Sequence, residues 1–332
     1  MPYRVAIAVA RGFTDSGLSI AVDIFRTADS LRRRRGRPPL FHVQVVSSAG
    51  GPVGSASGLR LAGTLRASAA AADVVIVPGV WVESPDDVDG VLKQPEVRRL
   101  VRAIKAAADR GAAIGSSCAG AFLLAEAGLL DHRRATTTWW LAPLLARRYP
   151  AVTVDSQAAL VITGGVVTAG AVFAQADLCL HFVSRLGGPA LARECASVLL
   201  LDRHASQTAY MAMGFLGSWN PRVGILERWV RHHLSERLTV DALARTAGVS
   251  PRTLARQLHL MLGMTPVEFL QRIRVEAALR MLETTPLSLE QISSRVGYAD
   301  VNSLRRILRR ALRASPLQLR RRVQSAQGLS EM

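Results

Sequence analysis

A repeat in the last third of the chain constrains the fold more than any other feature. The segment Leu238–Gly248, LTVDALARTAG, matches Leu287–Gly297, LSLEQISSRVG. Each copy begins at a hydroxyl residue suited to cap a helix, Thr239 or Ser288, and ends at a glycine suited to a left-handed turn. A repeat of this kind indicates two copies of one supersecondary unit.

In both copies the spacing predicts a second helix after the glycine, over Pro251–Leu262 and over about Val301–Leu312. Helix, glycine turn and helix is the order of a helix-turn-helix unit, whose second helix enters the major groove of DNA. A repeated helical hairpin that binds another protein is the alternative. The copies share further positions at one constant offset: Leu254, Arg256, Leu258 and Pro266 recur as Leu304, Arg306, Leu308 and Pro316.

The placement of arginine favours DNA binding over the protein-binding alternative. Arg252 and Arg256 lie at i and i+4 on one predicted helix face, and leucines occupy the opposite face. The formal net charge is +17, and 19 arginines against 9 acidic residues fall at or after Arg222. Phosphates would relieve the repulsion among the arginines crowded on the second copy's helix, which are Arg305, Arg306, Arg309, Arg310 and Arg313.

The first part of the chain has a different sequence pattern. Up to about Phe182, short β-branched runs alternate with helical stretches rich in alanine and leucine. This alternation predicts an α/β domain with a mainly parallel sheet, followed by an all-α domain with two helix-turn-helix units. The predicted strands are Tyr3–Ala10, Phe41–Val46, Val74–Val77, Ala112–Gly115, Val152–Val154, Leu160–Ile162 and Val166–Thr168.

The strand pattern ends before Pro221, so a domain boundary is expected between Leu201 and Pro221. A length of 332 residues also suits two domains. The predicted division is a sensor domain over 1–200, a linker over 201–221, a DNA-binding domain over 222–323 and a disordered tail over 324–332.

Composition argues against several other classes of protein. No apolar run reaches the roughly 18 residues of a membrane-spanning helix, and Met1–Ala10 lacks the length of a signal-peptide core. Cys118, Cys179 and Cys195 have no CxxC spacing, so neither a disulfide framework nor a metal site is indicated. The sequence predicts a cytoplasmic protein that needs no cofactor and binds no membrane.

The C-terminal part of the sequence resembles the AraC/XylS family. The resemblance implies two helix-turn-helix subdomains joined by a long helix, here about Pro266–Glu283, with double-stranded promoter DNA and RNA polymerase as partners. It covers about the last third of the chain. The matching segments are Leu238–Ala244, Val249–Arg256, Leu262–Pro266, Val296–Tyr298 and Ser315–Pro316.

By position in this motif, the resemblance implies which residues face DNA. Arginine suits guanine and asparagine suits adenine, whereas Ala255 and Val301 offer only apolar contact. Arg313 stands where the family often has glycine, and a left-handed cap there would cost about 1 kcal/mol. The predicted DNA-contacting residues are Arg252, Thr253, Ala255, Arg256, Val301, Asn302, Arg305, Arg306 and Arg309.

One segment of the α/β part, Ala113–Leu130, combines a predicted strand, a turn of small residues and a helix. This order places Cys118 at a strand-to-helix elbow. A helix N-terminus at such an elbow is expected to lower the pKa of a thiol and to offer N–H donors to an anion. The alternative is a small residue that fills a crowded corner.

The elbow and its surroundings resemble the PfpI/ThiJ branch of the class I glutamine amidotransferase-like domains. With the AraC-like part, the whole chain then resembles the GlxA-type regulators. The resemblance implies a flavodoxin-like α/β domain that senses a metabolite, amino acids or quaternary amines among them, and forms a homodimer. The matching segments are Gly12–Phe13, Asp23–Phe25, Asp73–Gly79, the Cys118 elbow, Ala135–Trp139 and Val167–Gly170.

Enzymes of this superfamily pair the elbow cysteine with a histidine and often a carboxylate. Here Ala119 and Thr138 stand where relatives often have histidine, and Gly17 replaces an expected acidic residue. A thiol without a base is a poor hydrolase, so we expect a degenerate site reused to bind a metabolite. The predicted lining is Asp15, Gly79, Cys118, Ala119, Trp139 and Trp140, of which at most one tryptophan is expected to contact the ligand.

These features together predict a transcription regulator that is not an enzyme and is expected to act as an activator. Its metabolite-binding domain would change how the helical domain holds the promoter. Two alternatives stay open: a purely dimerising N-terminal scaffold, and a Cys118-dependent amidase or glyoxalase-like enzyme that carries a DNA-binding domain.

Overall fold

The structure, a computed structural model, describes residues 1–67, 71–202, 204, 206–207, 211, 214–215, 217 and 221–312. The chain divides into two compact units, Met1–Gln207 and Thr208–Met332. Within the described residues, no helix has the length and apolar character needed to cross a membrane. Arg313 and the predicted tail over 324–332 lie outside the described residues.

A seven-stranded sheet organises the first unit, in the order β10-β11-β7-β6-β1-β2-β5. All neighbouring strands pair parallel except β10 with β11. This mainly parallel, flavodoxin-like sheet confirms the predicted fold class. The strands are β1 (Tyr3–Ala8), β2 (Phe41–Ser47), β3 (Val53–Gly54), β4 (Arg60–Leu61), β5 (Leu65–Arg66), β6 (Val74–Val77), β7 (Ala113–Ser117), β8 (Arg134–Ala135), β9 (Thr153–Val154), β10 (Leu160–Thr163) and β11 (Val166–Ala169).

Helices cover both faces of this sheet. One face packs against α1, α6 and α7 through side chains such as Phe25 and Phe182, and the other against α3 and α4 through Ile104 and Phe122. Burial on both faces explains why β6 is apolar along its whole length. The helices are α1 (Asp15–Arg34), α2 (Asp87–Lys93), α3 (Pro95–Asp109), α4 (Gly120–Glu126), α5 (Ala142–Arg148), α6 (Gln175–Gly187) and α7 (Pro189–Val198).

The second unit is helical over its described residues. Two helix-turn-helix pairs, α9 with α10 and α12 with α13, are joined by the long helix α11, which confirms the predicted architecture. The helices are α8 (Pro221–His232), α9 (Val240–Thr246), α10 (Pro251–Leu262), α11 (Pro266–Thr284), α12 (Leu289–Arg295) and α13 (Val301–Leu312).

The caps and turns of the repeat follow its local chemistry. The Thr239 hydroxyl accepts a hydrogen bond from the Ala242 N–H at 3.1 Å, and the Ser288 hydroxyl accepts one from the Gln291 N–H at 3.2 Å. The glycines that end the copies, at positions 248 and 297, have left-handed φ angles of +66° and +77°. The predicted N-caps and glycine turns are confirmed.

The predicted linker, 201–221, is divided between the two units. Gln207 is buried in the first unit, where its side chain bonds the backbone around Thr137. Met211 is buried too, and its carbonyl accepts a hydrogen bond from the Arg272 guanidinium on α11 at 2.7 Å. Three residues, 208–210, separate these two anchored positions, and they lie outside the described residues.

Candidate nucleic-acid interface and the Cys118 elbow

The first candidate recognition helix, α10, has one buried and one exposed face. Its leucines at 254, 258 and 262 are buried, whereas Arg252 and Arg256 are exposed and Thr253 and Ala255 are half-buried. The Ser250 hydroxyl caps the helix by accepting the Thr253 N–H at 3.2 Å. Because the buried leucines fix the rotation of the helix, the arginines are presented to solvent on one side.

The second candidate recognition helix, α13, repeats this arrangement. Leu304 and Leu308 are fully buried in a core shared with α11 and α12. Asn302, Arg306 and Arg309 are exposed on the other side, and Val301 and Arg305 are half-buried. The nine predicted DNA-contacting residues of the two helices therefore all lie on the side that faces away from the core, or at the margin of that side.

Asn302 is held in a defined orientation. The Arg305 guanidinium donates a hydrogen bond to Asn302 Oδ1 at 2.7 Å, and the Asp300 carboxylate caps the helix by accepting the N–H groups of Asn302 and Ser303 at 3.0 Å each. The side-chain oxygen of Asn302, Oδ1, therefore already accepts a hydrogen bond in the absence of DNA. A paired contact with adenine would require Asn302 Oδ1 to share or exchange this bond.

We expect Arg256→Ala and Arg306→Ala each to weaken operator binding by about 1–3 kcal/mol, because each removes a guanidinium that suits guanine. Binding to random duplex should weaken less. Gel-shift titration with a selected operator and with random DNA measures both effects. Arg102→Ala, at an exposed position on α3, is the control and should bind as the parent does. Parent-like binding by both test variants would contradict the assignment.

The first unit contains the predicted elbow. Cys118 joins β7 to α4 with a positive φ of +51°, and its N–H donates to the Ala169 carbonyl at 3.0 Å. Two glycines permit the backbone segments around Cys118 to pack closely against each other. A Cβ on Gly79 would lie 2.9 Å from the Cys118 Cβ, and one on Gly120 would lie 2.7 Å from the Val77 carbonyl oxygen. Cys118 therefore occupies a tight strand-to-helix turn.

The prediction that the helix N-terminus lowers the pKa of the Cys118 thiol is wrong. Burial raises the pKa of Cys118 to about 11, and a hydrogen bond with the backbone of Ala119 offsets this only in part. Among the described residues, no histidine or carboxylate shifts this pKa. Desolvation thus outweighs the hydrogen bond with the Ala119 backbone, at the start of the helix that follows. With such a pKa, about one thiol in ten thousand is ionised at pH 7, so Cys118 is a weak nucleophile.

Asp15 approaches the same edge of the sheet from the start of α1. The preceding residue, Thr14, donates its N–H to the Gly79 carbonyl at 2.9 Å. Burial alone would raise the pKa of Asp15, but hydrogen bonds from the Ser55 and Ser57 hydroxyls outweigh it and lower the pKa below its usual value. Asp15 is thus a carboxylate at neutral pH.

The segment that carries the two predicted tryptophans contacts the elbow through a residue that the sequence did not single out. The fully buried Thr137 donates its hydroxyl to the Cys118 carbonyl at 2.7 Å. Trp140 is half-buried and packs against the core on the α3 and α4 face, and Trp139 is half-buried beside it. The role of the two tryptophans as lining stays a prediction.

Gln207 is the second residue that sequence reasoning missed. The nitrogen of its side-chain amide donates to the backbone carbonyls of Thr137 at 2.9 Å and Ala158 at 3.2 Å. The oxygen of the same amide accepts the backbone N–H of Trp139 at 3.1 Å. A Cβ on Gly170 would lie 2.7 Å from this amide, so the site closes tightly around it. No local pattern marks Gln207, because its partners lie far away in sequence.

Two family profiles match the chain. The DJ-1/PfpI family profile matches residues 3–185, and a helix-turn-helix domain profile matches residues 243–322. The HTH-type transcriptional regulator GlxA of Rhizobium meliloti is 29% identical over 324 residues, which cover 96% of each chain. The HTH-type transcriptional regulator CdhR of Pseudomonas aeruginosa is 30% identical over 313 residues, which cover 92% of this chain and 88% of that protein.

Solved structures resemble the chain as well. The crystal structure of an AraC family transcriptional regulator from Pseudomonas putida covers 60% of this chain and 100% of its own, with a TM-score of 0.50 and 28% identity. A THiJ/PfpI family protein from Pseudomonas syringae covers 61% of this chain and 77% of its own, with a TM-score of 0.51 and 22% identity. The second likeness concerns the fold alone.

Proposed function

The chain belongs to the DJ-1/PfpI family and is a DNA-binding transcription regulator of the helix-turn-helix type, and we propose that a small metabolite bound at the Cys118 elbow controls its hold on promoter DNA. In this proposal the protein works in the bacterial cytoplasm as a homodimer and activates transcription with RNA polymerase. Both family resemblances seen in the sequence are confirmed by the matches.

One observation carries the proposal: a chain of hydrogen bonds runs from the elbow to the last residue of the first unit. The Thr137 hydroxyl donates to the Cys118 carbonyl at 2.7 Å, and the Thr137 carbonyl accepts from the Gln207 amide at 2.9 Å. After Gln207 the chain enters the second unit. A ligand that shifts the Cys118 backbone would therefore disturb Thr137 and, through it, the base of the connection to the DNA-binding domain.

The chemistry of Cys118 favours a sensor over an enzyme. A cysteine nucleophile needs its thiolate and a base that takes the proton, whereas burial keeps the Cys118 pKa at about 11. An elbow with a neutral thiol can still surround a ligand, because a sensor requires shape and hydrogen-bond donors rather than a nucleophile. The amidase or glyoxalase-like alternative therefore has less support.

We expect Cys118→Ser to retain both DNA binding and the metabolite response, and Cys118→Leu to lose the response. Serine keeps the size of the side chain, whereas leucine is larger and would overfill a turn so tight that even a Cβ on Gly79 would lie 2.9 Å from the Cys118 Cβ. A reporter under the mapped promoter, with and without the inducing metabolite found from the regulated genes, measures the response. Loss of response in both variants would point instead to thiol chemistry.

The route from the elbow is tested at Gln207. Gln207→Ala should leave DNA binding intact and reduce the difference in reporter output between inducer-free and induced cells. Gln157→Ala, at an exposed glutamine of the same unit, is the matched control and should respond as the parent does. A full response from the Gln207 variant would contradict this route.

A further inference from the structure

A cavity of about 460 Å³ opens at the carboxyl ends of β1 and β2. Its walls come from the turn after β1, from the segment between β2 and β4, and from the first turn of α3. None of the six residues predicted at the elbow lines it. The polar side chains that face it are Arg11, Arg60, Glu96, Ser47, Ser48 and Ser55.

The cavity lies at the carboxyl ends of two parallel strands, β1 and β2. The carboxyl edge of an open α/β sheet is where these folds bind their ligands.

The charges of the cavity wall are not neutralised by the protein. In the part of the chain that the structure describes, Arg11, Arg60 and Glu96 make no ion pair and no side-chain hydrogen bond. Two guanidinium groups and one carboxylate therefore give the wall an excess of one positive charge. That balance suits a ligand with one negative group and one hydrogen-bond donor.

Hydrogen bonds hold the wall in shape. The Ser47 hydroxyl accepts the Gly50 N–H at 3.0 Å and lies 2.7 Å from the Thr64 hydroxyl. The Ser55 hydroxyl accepts the Leu59 N–H at 3.1 Å. A wall ordered before the ligand arrives lowers the entropic cost of binding.

We propose that this cavity binds a small organic acid with a single carboxylate. Arg11 and Arg60 hold the carboxylate, and Glu96 accepts a hydrogen bond from a hydroxyl or amino group of the same molecule. The volume falls within the range of small-molecule sites. Glu96 disfavours phosphates and dicarboxylates, because their second negative charge would face its own. The inference goes beyond the proposed elbow site and does not depend on it.

Chemical modification of arginine by phenylglyoxal tests the site on the full-length protein. Glycolate and glycine are the probes, inorganic phosphate and succinate are the comparison anions, and chloride sets equal ionic strength. Mass spectrometry of peptides follows Arg11, Arg60 and the exposed Arg102. We expect glycolate or glycine to slow modification of Arg11 and Arg60 by about fivefold, and to leave Arg102 unchanged.

Two variants sharpen the test. Glu96→Gln removes the carboxylate and should allow phosphate to protect Arg11, whereas Arg102→Gln should change nothing. Equal modification of Arg11, Arg60 and Arg102 with every probe would overturn the inference. So would protection by phosphate as strong as that by glycolate in the parent. Neither readout involves DNA binding, so failure here is distinguishable from failure of the proposed function.

Discussion

Gly297→Ala is expected to unfold the second helix-turn-helix unit locally and to abolish operator-specific binding. Gly297 has a φ of +77°, where alanine costs about 1–2 kcal/mol. Its added Cβ would also lie 2.2 Å from the Leu234 carbonyl oxygen and 2.7 Å from Arg274 Nη2. Backbone cannot yield as a flexible side chain does, so overpacking adds about 1–3 kcal/mol. The expected loss of stability is therefore about 2–5 kcal/mol.

The first copy of the repeat supplies the matched control. Gly248 occupies the same turn with a φ of +66°, but a Cβ there would meet nothing within 4 Å. Gly248→Ala should thus show only the strain of the left-handed backbone. Urea unfolding and gel-shift titration of the two variants measure the difference. Equal losses in both would mean that the contact with Leu234 does not decide the outcome.

DNA affinity is expected to fall steeply with salt. Where the burial of the two recognition helices is described, the exposed arginines are Arg252, Arg256, Arg306 and Arg309, and they belong to a second unit that is rich in arginine. If about six arginines neutralise phosphates, log affinity falls against log salt with a slope of about −5, which is roughly a thousandfold loss over a fourfold rise in salt. Fluorescence anisotropy with a labelled duplex and the full-length protein measures the slope.

Single substitutions separate phosphate contacts from base contacts. Arg309→Gln should reduce the slope by about one and weaken operator and random DNA to the same degree, since one condensed counterion fewer is released. Arg256→Ala should instead weaken operator binding more than random binding. A slope near zero for the parent protein would show that the helices do not bind DNA through its phosphates.

Much of the helical unit could be predicted from the sequence because its determinants are local. Proline at the first helical position and glycine after the last mark α10 at both ends, and its predicted bounds, Pro251–Leu262, agree with the structure. The first strand was less well predicted. It ends at Ala8 rather than Ala10, because the chain turns at Gly12 with a φ of +76°.

The site in the first unit was predicted less completely, because burial and long-range contacts decide its chemistry. The elbow at Cys118 follows from a local order of small residues, but its raised pKa comes from the surrounding protein. Gln207 and Thr137 are 70 residues apart, and neither belongs to a periodic pattern. Arg60 lies on a strand of two residues, too short to be recognised from alternation.

The three residues between Gln207 and Met211 also bear on how such proteins can be recombined. Each flanking residue is buried and bonded by its carbonyl or its side chain to its own unit. A chimera that joins this first unit to the DNA-binding unit of another protein would need its junction within 208–210, so that Gln207 stays with the first unit. A junction elsewhere in 201–221 would separate Gln207 from Thr137, or Met211 from Arg272, into segments of different proteins. A longer insert at 208–210 would keep Gln207 and Met211 in place and would lengthen the connection between the two units.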